Sequence, residues 1–170
     1  MISQKMQDAI NAQINEELFS SYLYLSMSAF FEDMSLTGFA NWMRIQAQEE
    51  QFHAMKFFDY LNERGGKVEL LAIEKPENQW KDIVTVFEQT QKHEEHITAK
   101  INELVKIASD ENDYASSNFL QWYVNEQVEE EATASEILEQ IRFLGENKHG
   151  ILMLDREFKG RSFQAPVDGE

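Results

Sequence analysis

Residues 83–108 read IVTVFEQTQKHEEHITAKINELVKIA. Taken at the alternating spacing of four and three that lines up one face of a helix, they give Ile83, Phe87, Thr90, Glu94, Ile97, Ile101, Leu104 and Ala108. That face is apolar except near its centre, where Glu94 stands. Such a helix must find partners for its stripe, and the carboxylate inside the stripe must find a hydrogen bond or a counter-charge.

Working outward, the segment that follows repeats the pattern with Leu120, Tyr123, Gln127, Glu130, Ala134, Ile137, Ile141 and Leu144. Upstream, one stripe reads Phe39, Met43, Gln46, Glu50, His53, Phe57 and Tyr60, and another reads Ile10, Ile14, Glu17, Ser21, Tyr24, Ser28 and Phe31. The periodicity predicts helices over 5–34, 38–65, 82–111 and 113–144, then a short one over 151–159. Short turns around Ser35-Leu36-Thr37 and Glu111-Asn112-Asp113 make two antiparallel hairpins. Between the hairpins, Gly65-Gly66 closes the second helix and Pro76 interrupts any helical period. The connecting segment, about 16 residues long, reaches roughly 50 Å when extended, the length of the bundle. The second and third helices are thus expected to run parallel.

The expected fold is all-α: a four-helix bundle with one long crossover plus a short C-terminal helix. It forms one domain over 1–160, with 161–170 as a polar tail. Two prolines, seven glycines and 42% hydrophobic residues in 170 agree with long helices around a sizeable core. The absence of cysteine excludes disulfides, thiolate metal sites and cysteine nucleophiles. A net charge of −16 argues against nucleic acid and anionic membranes as partners and favours cations. No basic leader or spanning apolar run is present, and the expected location is the cytoplasm.

Each of the four long helices carries a carboxylate near its midpoint. An isolated Glu in an apolar stripe is ordinarily a hydrogen-bonded structural residue. Four at one depth would repel one another and lose hydration unless cations neutralise them. The spacing is a second, independent signal: Glu17, Glu50 and His53 stand 33 and then 3 residues apart, as do Glu94, Gln127 and Glu130. An offset of 77 relates the two sets, and it also maps Glu49 onto Glu126 and Trp42 onto Phe119. This predicts two hairpins related by a pseudo-twofold axis, each supplying half of a metal site. Carboxylates with one imidazole suit iron or manganese, and zinc as well. Glu50 and His53, one turn apart, share a face, so Glu50 can bridge two ions while His53 terminates one.

These residues are where the chain resembles the non-haem bacterial ferritins, over 1 to about 160. Asn118-Phe119-Leu120-Gln121-Trp122-Tyr123-Val124 with Glu126-Gln127-Val128-Glu129-Glu130-Glu131 is similar to that family's fourth helix. Ala47-Gln48-Glu49-Glu50 with His53 resembles its second, and His93-Glu94 its third. The resemblance implies a first iron site of Glu17, Glu50 and His53, and a second of Glu94 and Glu130 bridged by Glu50. Gln127 would be a weak ligand or a supporting group. It further implies a third iron position at Glu49, Glu126, Glu129 and Glu130, with Tyr24 beside the di-iron centre as a redox-active residue. Trp122 is another candidate electron source, and core packing accounts equally for both aromatics. Bound haem is not expected, because Gln51 stands where the haem-ligating Met of the bacterioferritin branch would be, and Gln127 and Glu130 replace that branch's Glu and His.

The function implied is iron storage with ferroxidase activity. Fe(II) would be oxidised by O₂ or H₂O₂ and kept as ferric mineral inside a homo-oligomeric shell of two dozen subunits. A di-iron oxygenase with an organic substrate is the rival reading, and a helical scaffold with an incidental acidic core is the non-enzymatic one. His93 and His96 are expected on a solvated helix face, and Glu131 at the surface or a subunit contact. Leu23, Phe30, Phe58 and Leu61, lying off the main stripes, are expected to be exposed and available for assembly. Loss of Glu94 is expected to leave the metal-free protein as stable or more stable.

Overall fold

A computed structural model of the chain describes residues 1–164. They form α1 (Gln4–Asp33), α2 (Thr37–Glu63), α3 (Ile83–Asp110), α4 (Tyr114–Leu144) and α5 (Lys148–Phe158), with no strand among the described residues. Of the polar tail, residues 161–164 follow α5 without regular structure and 165–170 lie outside the described residues.

Local chemistry sets the helix starts. Ser3 accepts from the Met6 amide at 3.0 Å, Asp113 from Ser116 at 3.1 Å and Asn147 from Gly150 at 3.1 Å, each satisfying an orphan donor of a first turn. Asp82 and Thr85 form a reciprocal capping box at the start of α3. Helix α2 has no side-chain cap from its own N-cap residue. Its first-turn amides are satisfied from α5 instead, where buried Asp155 accepts from Gly38 at 2.7 Å and Phe39 at 3.1 Å. The approach is so close that a Cβ on Gly38 would sit 1.6 Å from the Asp155 carbonyl oxygen. Both hairpin turns place a non-glycine residue in the left-handed region, Ser35 at φ 60° and Asn112 at φ 54°. These two positions are themselves 77 residues apart, so the predicted pseudo-symmetry extends to the turns.

The crossover runs the length of α1. It begins beside the start of that helix, where the Lys67 amide donates to Gln7 at 2.9 Å and Asn11 exchanges hydrogen bonds with Lys67 and Glu69. It ends beside the other end, where Ser26 donates to the Glu77 carbonyl at 2.7 Å and Trp80 meets Phe30 edge-on. Helix α3 therefore starts where α1 finishes, making it antiparallel to α1 and parallel to α2.

The core is divided. One apolar block gathers Met27, Phe31, Phe39, Met43, Phe87 and Ile141; the other gathers Ile10, Ile14, Phe57, Ile97, Leu104 and Tyr123. Between them lies a layer of buried polar side chains, including Glu17, Glu50, His53, Glu94 and Gln127. The apolar blocks hold this layer at a fixed depth on all four helices. Leu23 and Leu61 depart from their expected exposure: both are buried within these blocks. A bundle helix buries a stripe wider than its central line, and both leucines flank that line. Phe30 and Phe58 are partly buried against the same blocks.

Candidate metal centre

At mid-bundle, Glu17 of α1 meets Glu50 and His53 of α2, with exposures of 1%, 2% and 4%. One ligand atom from each lies within 4.8 Å of the others, an arrangement able to hold a cation. His53 Nδ1 is 3.4 Å from Glu50 Oε2. Gln13, one turn before Glu17, donates to its Oε1 at 2.8 Å, while Glu17 Oε2 is buried without a hydrogen-bond partner. A buried carboxylate oxygen without a partner, on a side chain that meets a second carboxylate and an imidazole, is what a metal ion would satisfy.

The second hairpin supplies Glu94 and Glu130. Glu94 is buried and accepts from the Tyr24 hydroxyl, and from Gln127 Nε2 at 3.3 Å. Gln127 also donates to the Glu94 carbonyl and to Thr98, both at 3.2 Å, so its amide nitrogen faces helix α3. Glu130 is partly exposed, and its Oε2 accepts from Gln46 at 2.6 Å. Unlike the first three residues, Glu94 and Glu130 belong to no compact cluster, but both act electrostatically on Glu50.

Burial pushes the Glu17 carboxyl well above the carboxylate range, with Glu50 adding to the rise. Glu50 is raised in the same way, by burial first and then by Glu94 and Glu130. Burial, Glu94 and Glu49 bring Glu130 up to about 8. Glu94 is raised by burial, against the lowering effect of its bonds from Tyr24 and Gln127. Without a cation, this layer therefore retains protons near neutral pH that an incoming metal must displace.

Beside the cluster, a cavity of about 220 Å³ is lined by Glu49, His53, Glu126, Glu129, Glu130 and the tail residue Arg161. All four carboxylates of the third position thus face one space next to the centre, with Glu129 exposed and Glu126 partly buried. Trp122 packs edge-on to His53 at 5.3 Å, with Lys56 4.7 Å above its ring. Glu131 is partly buried on α4. His93 departs in part from the expected solvated face: it is half-buried, packed against Phe19 and Tyr24, and its Nε2 lies 2.7 Å from Ser20 Oγ. Burial lowers its pKa to about 4. His96 is the exposed member of the pair and bonds Glu16 at 3.1 Å.

Three neighbours of the cluster were missed by sequence reasoning. Gln13 had a usable signal, a glutamine four residues before Glu17 on the same face. Gln46 lay in the α2 stripe with no role assigned. Arg161 had none, because it follows the last helix and meets partners more than a hundred residues away.

A four-helix bundle with one end-to-end crossover, carrying buried carboxylates and an imidazole at its midpoint, defines the ferritin-like class of bundles. Within that class the chain belongs to the ferritin family, whose ferritin-like domain matches residues 7–144. It is 43% identical to a probable bacterial non-heme ferritin-like protein of Haemophilus influenzae, covering 97% of this chain and 100% of that one. It is 44% identical to a bacterial non-heme ferritin of Bacteroides fragilis, covering 95% and 100%. Among solved structures it matches an open pore ferritin from the archaeon Archaeoglobus fulgidus with a TM-score of 0.94 and 52% identity, over 95% of this chain and 100% of that one.

Proposed function

We propose that this protein is an iron-storage ferritin that oxidises Fe(II) inside each subunit and deposits ferric oxyhydroxide within a hollow shell of two dozen copies. The observation that carries the reading is the buried Glu17–Glu50–His53 cluster with its orphaned Glu17 oxygen. Iron is the substrate and the cargo. Glu17 and His53 terminate one Fe(II), Glu94 and Glu130 hold a second, and Glu50 bridges them.

Each Fe(II) gives up one electron. A dioxygen molecule accepting both, with two protons, leaves as hydrogen peroxide; a peroxide molecule accepting both, with two protons, leaves as water. Carboxylate ligands stabilise the ferric product more than the ferrous substrate, because the added charge falls among anions. The buried layer keeps the pair at fixed positions, which is the protein's other contribution. Tyr24, bonded to Glu94, and Trp122, packed on His53, are candidate donors of further electrons, with core packing the alternative role for both.

The acidic cavity beside the cluster supports storage over oxidation of an organic molecule. Its carboxylate lining suits a metal cation on its way to or from the centre, with Glu49, Glu126, Glu129 and Glu130 forming a third position. No helix among the described residues is long and apolar enough to cross a membrane, and we place the protein in the cytoplasm.

Adding one to six Fe(II) per chain to metal-free protein in air, and following ferric absorbance by stopped flow, tests the reading. A fast phase that saturates at two iron ions per chain is expected, slowed by at least about tenfold in Glu50→Ala. Equal rates in the two proteins would reject the assigned site.

A further inference from the structure

Arg161 belongs to no helix, yet its head is held from several sides near the centre. Its Nη2 donates to Glu49 Oε2 at 2.6 Å and to Gln46 Oε1 at 2.7 Å. Nη1 donates to the Trp42 carbonyl at 3.3 Å, and the guanidinium lies 4.7 Å over the Trp42 ring. The backbone behind it is also held, because Asn41 Nδ2 donates to the carbonyls of both Phe158 and Arg161 at 3.0 Å. Beyond it, Phe163 meets Phe52 at 6.3 Å. Residues 158–164 thus form a strap across α2 that delivers one positive charge to the wall of the acidic cavity.

The contact is more than a surface ion pair. Gln46, which accepts from Arg161, donates through its other amide atom to Glu130 at 2.6 Å. A continuous chain, Arg161 to Gln46 to Glu130, joins the strap to a carboxylate of the proposed second iron site. Arginine cannot lose its proton in this setting, so its charge leaves the cavity only if the strap moves.

We propose that Arg161 is a tethered counter-cation that occupies, on Glu49, the place of a third metal ion, and so makes the third position fill last and weakly. The inference rests on the di-iron reading above. A divalent ion entering between Glu49 and Glu126 must break the Arg161–Glu49 pair and tolerate a nearby positive charge, whereas an ion at Glu17, Glu50 and His53 meets neither cost. The strap therefore sets the order of filling: the pair first, and the third position only on displacement of the guanidinium.

The test is an anaerobic Co(II) titration of the assembled, metal-free protein, read from the cobalt absorption bands, on wild type, R161Q, R161K and N41A. Wild type is expected to bind two ions tightly and a third weakly. R161Q should bind the third roughly tenfold more tightly with the first two unchanged, the scale on which groups supporting a metal site act. R161K, which keeps the charge, should stay near wild type. N41A, which loosens the strap and leaves every charge in place, should shift in the same direction as R161Q by less. E49Q combined with R161Q should abolish the gain. Third-ion affinity in R161Q no tighter than in wild type, with two ions still bound, would overturn the inference. If R161Q fails to assemble, an unchanged third affinity in N41A overturns it. Failure of wild type to bind a pair would instead reject the di-iron reading.

Discussion

At the scale of single residues, the neighbouring carboxylates Glu94 and Glu95 make the sharpest comparison, since one is buried and the other exposed. Glu94→Ala should slow Fe(II) oxidation by at least about tenfold, while Glu95→Ala leaves it nearly unchanged, as measured by stopped flow. The structure alters the expectation for stability. Tyr24 donates to Glu94, and truncation strands its buried hydroxyl at a cost of about 1–3 kcal/mol, while Gln127 keeps its bonds to the residue-94 carbonyl and to Thr98. That outweighs the relief of repulsion, so the melting temperature of metal-free Glu94→Ala should fall rather than hold. The buried acids also predict a pH dependence. Glu130, raised to about 8, and Glu17 and Glu50, raised by burial, hold their protons in the folded state more tightly than the unfolded chain does. Stability of the metal-free protein therefore decreases as pH rises from the ordinary carboxylate value of 4.5 to about 8. His93, held at about 4 against an ordinary 6.5, works in the opposite sense only as pH falls below its unfolded value. Thermal melts across that window should show the decline in metal-free protein, a shallower one in Glu130→Gln, and little in the Zn(II)-loaded form.

At the scale of elements, the junction of α5 with α2 is the part of the fold most open to test. Asp155→Ala removes the acceptor for the Gly38 and Phe39 amides and should cost about 1–2 kcal/mol, the worth of a helix cap, seen as a lower melting temperature. Gly38→Ala should cost more, because its Cβ would force the two helices apart. Much of this level was legible in the sequence. Apolar residues at helical spacing gave the four long helices, and the length between Gly66 and Asp82 gave the crossover. Mid-stripe Glu17, Glu50 and His53 marked the cluster that the structure brings together, because a polar side chain breaks an apolar period visibly. The capping of α2 by Asp155 left no trace, since the two lie 117 residues apart and neither obeys a local rule. The same holds for Arg161. Leu23 and Leu61 were misplaced because a stripe drawn along its centre line understates how far a helix is buried. His93 was misplaced because its shielding comes from Phe19 on another helix.

At the scale of the whole molecule, a chain carrying −16 would repel its copies unless apolar contact or bound cations offset the charge. Tyr22, Leu25, Met55, Leu152 and Met153 are exposed on the isolated chain and offer apolar area for such contact. The storage reading predicts a large hollow particle by light scattering and electron microscopy, and a monomer or small dimer at working concentration would contradict it. The central claim is narrower than the shell: two iron ions lie side by side between the hairpins of each subunit. Crystals soaked anaerobically in Fe(II) and measured at the iron absorption edge test it most directly. Two anomalous peaks are predicted per chain, one among Glu17, Glu50 and His53 and one between Glu50, Glu94 and Glu130. Peaks confined to the surface, or none within the bundle, would contradict the account.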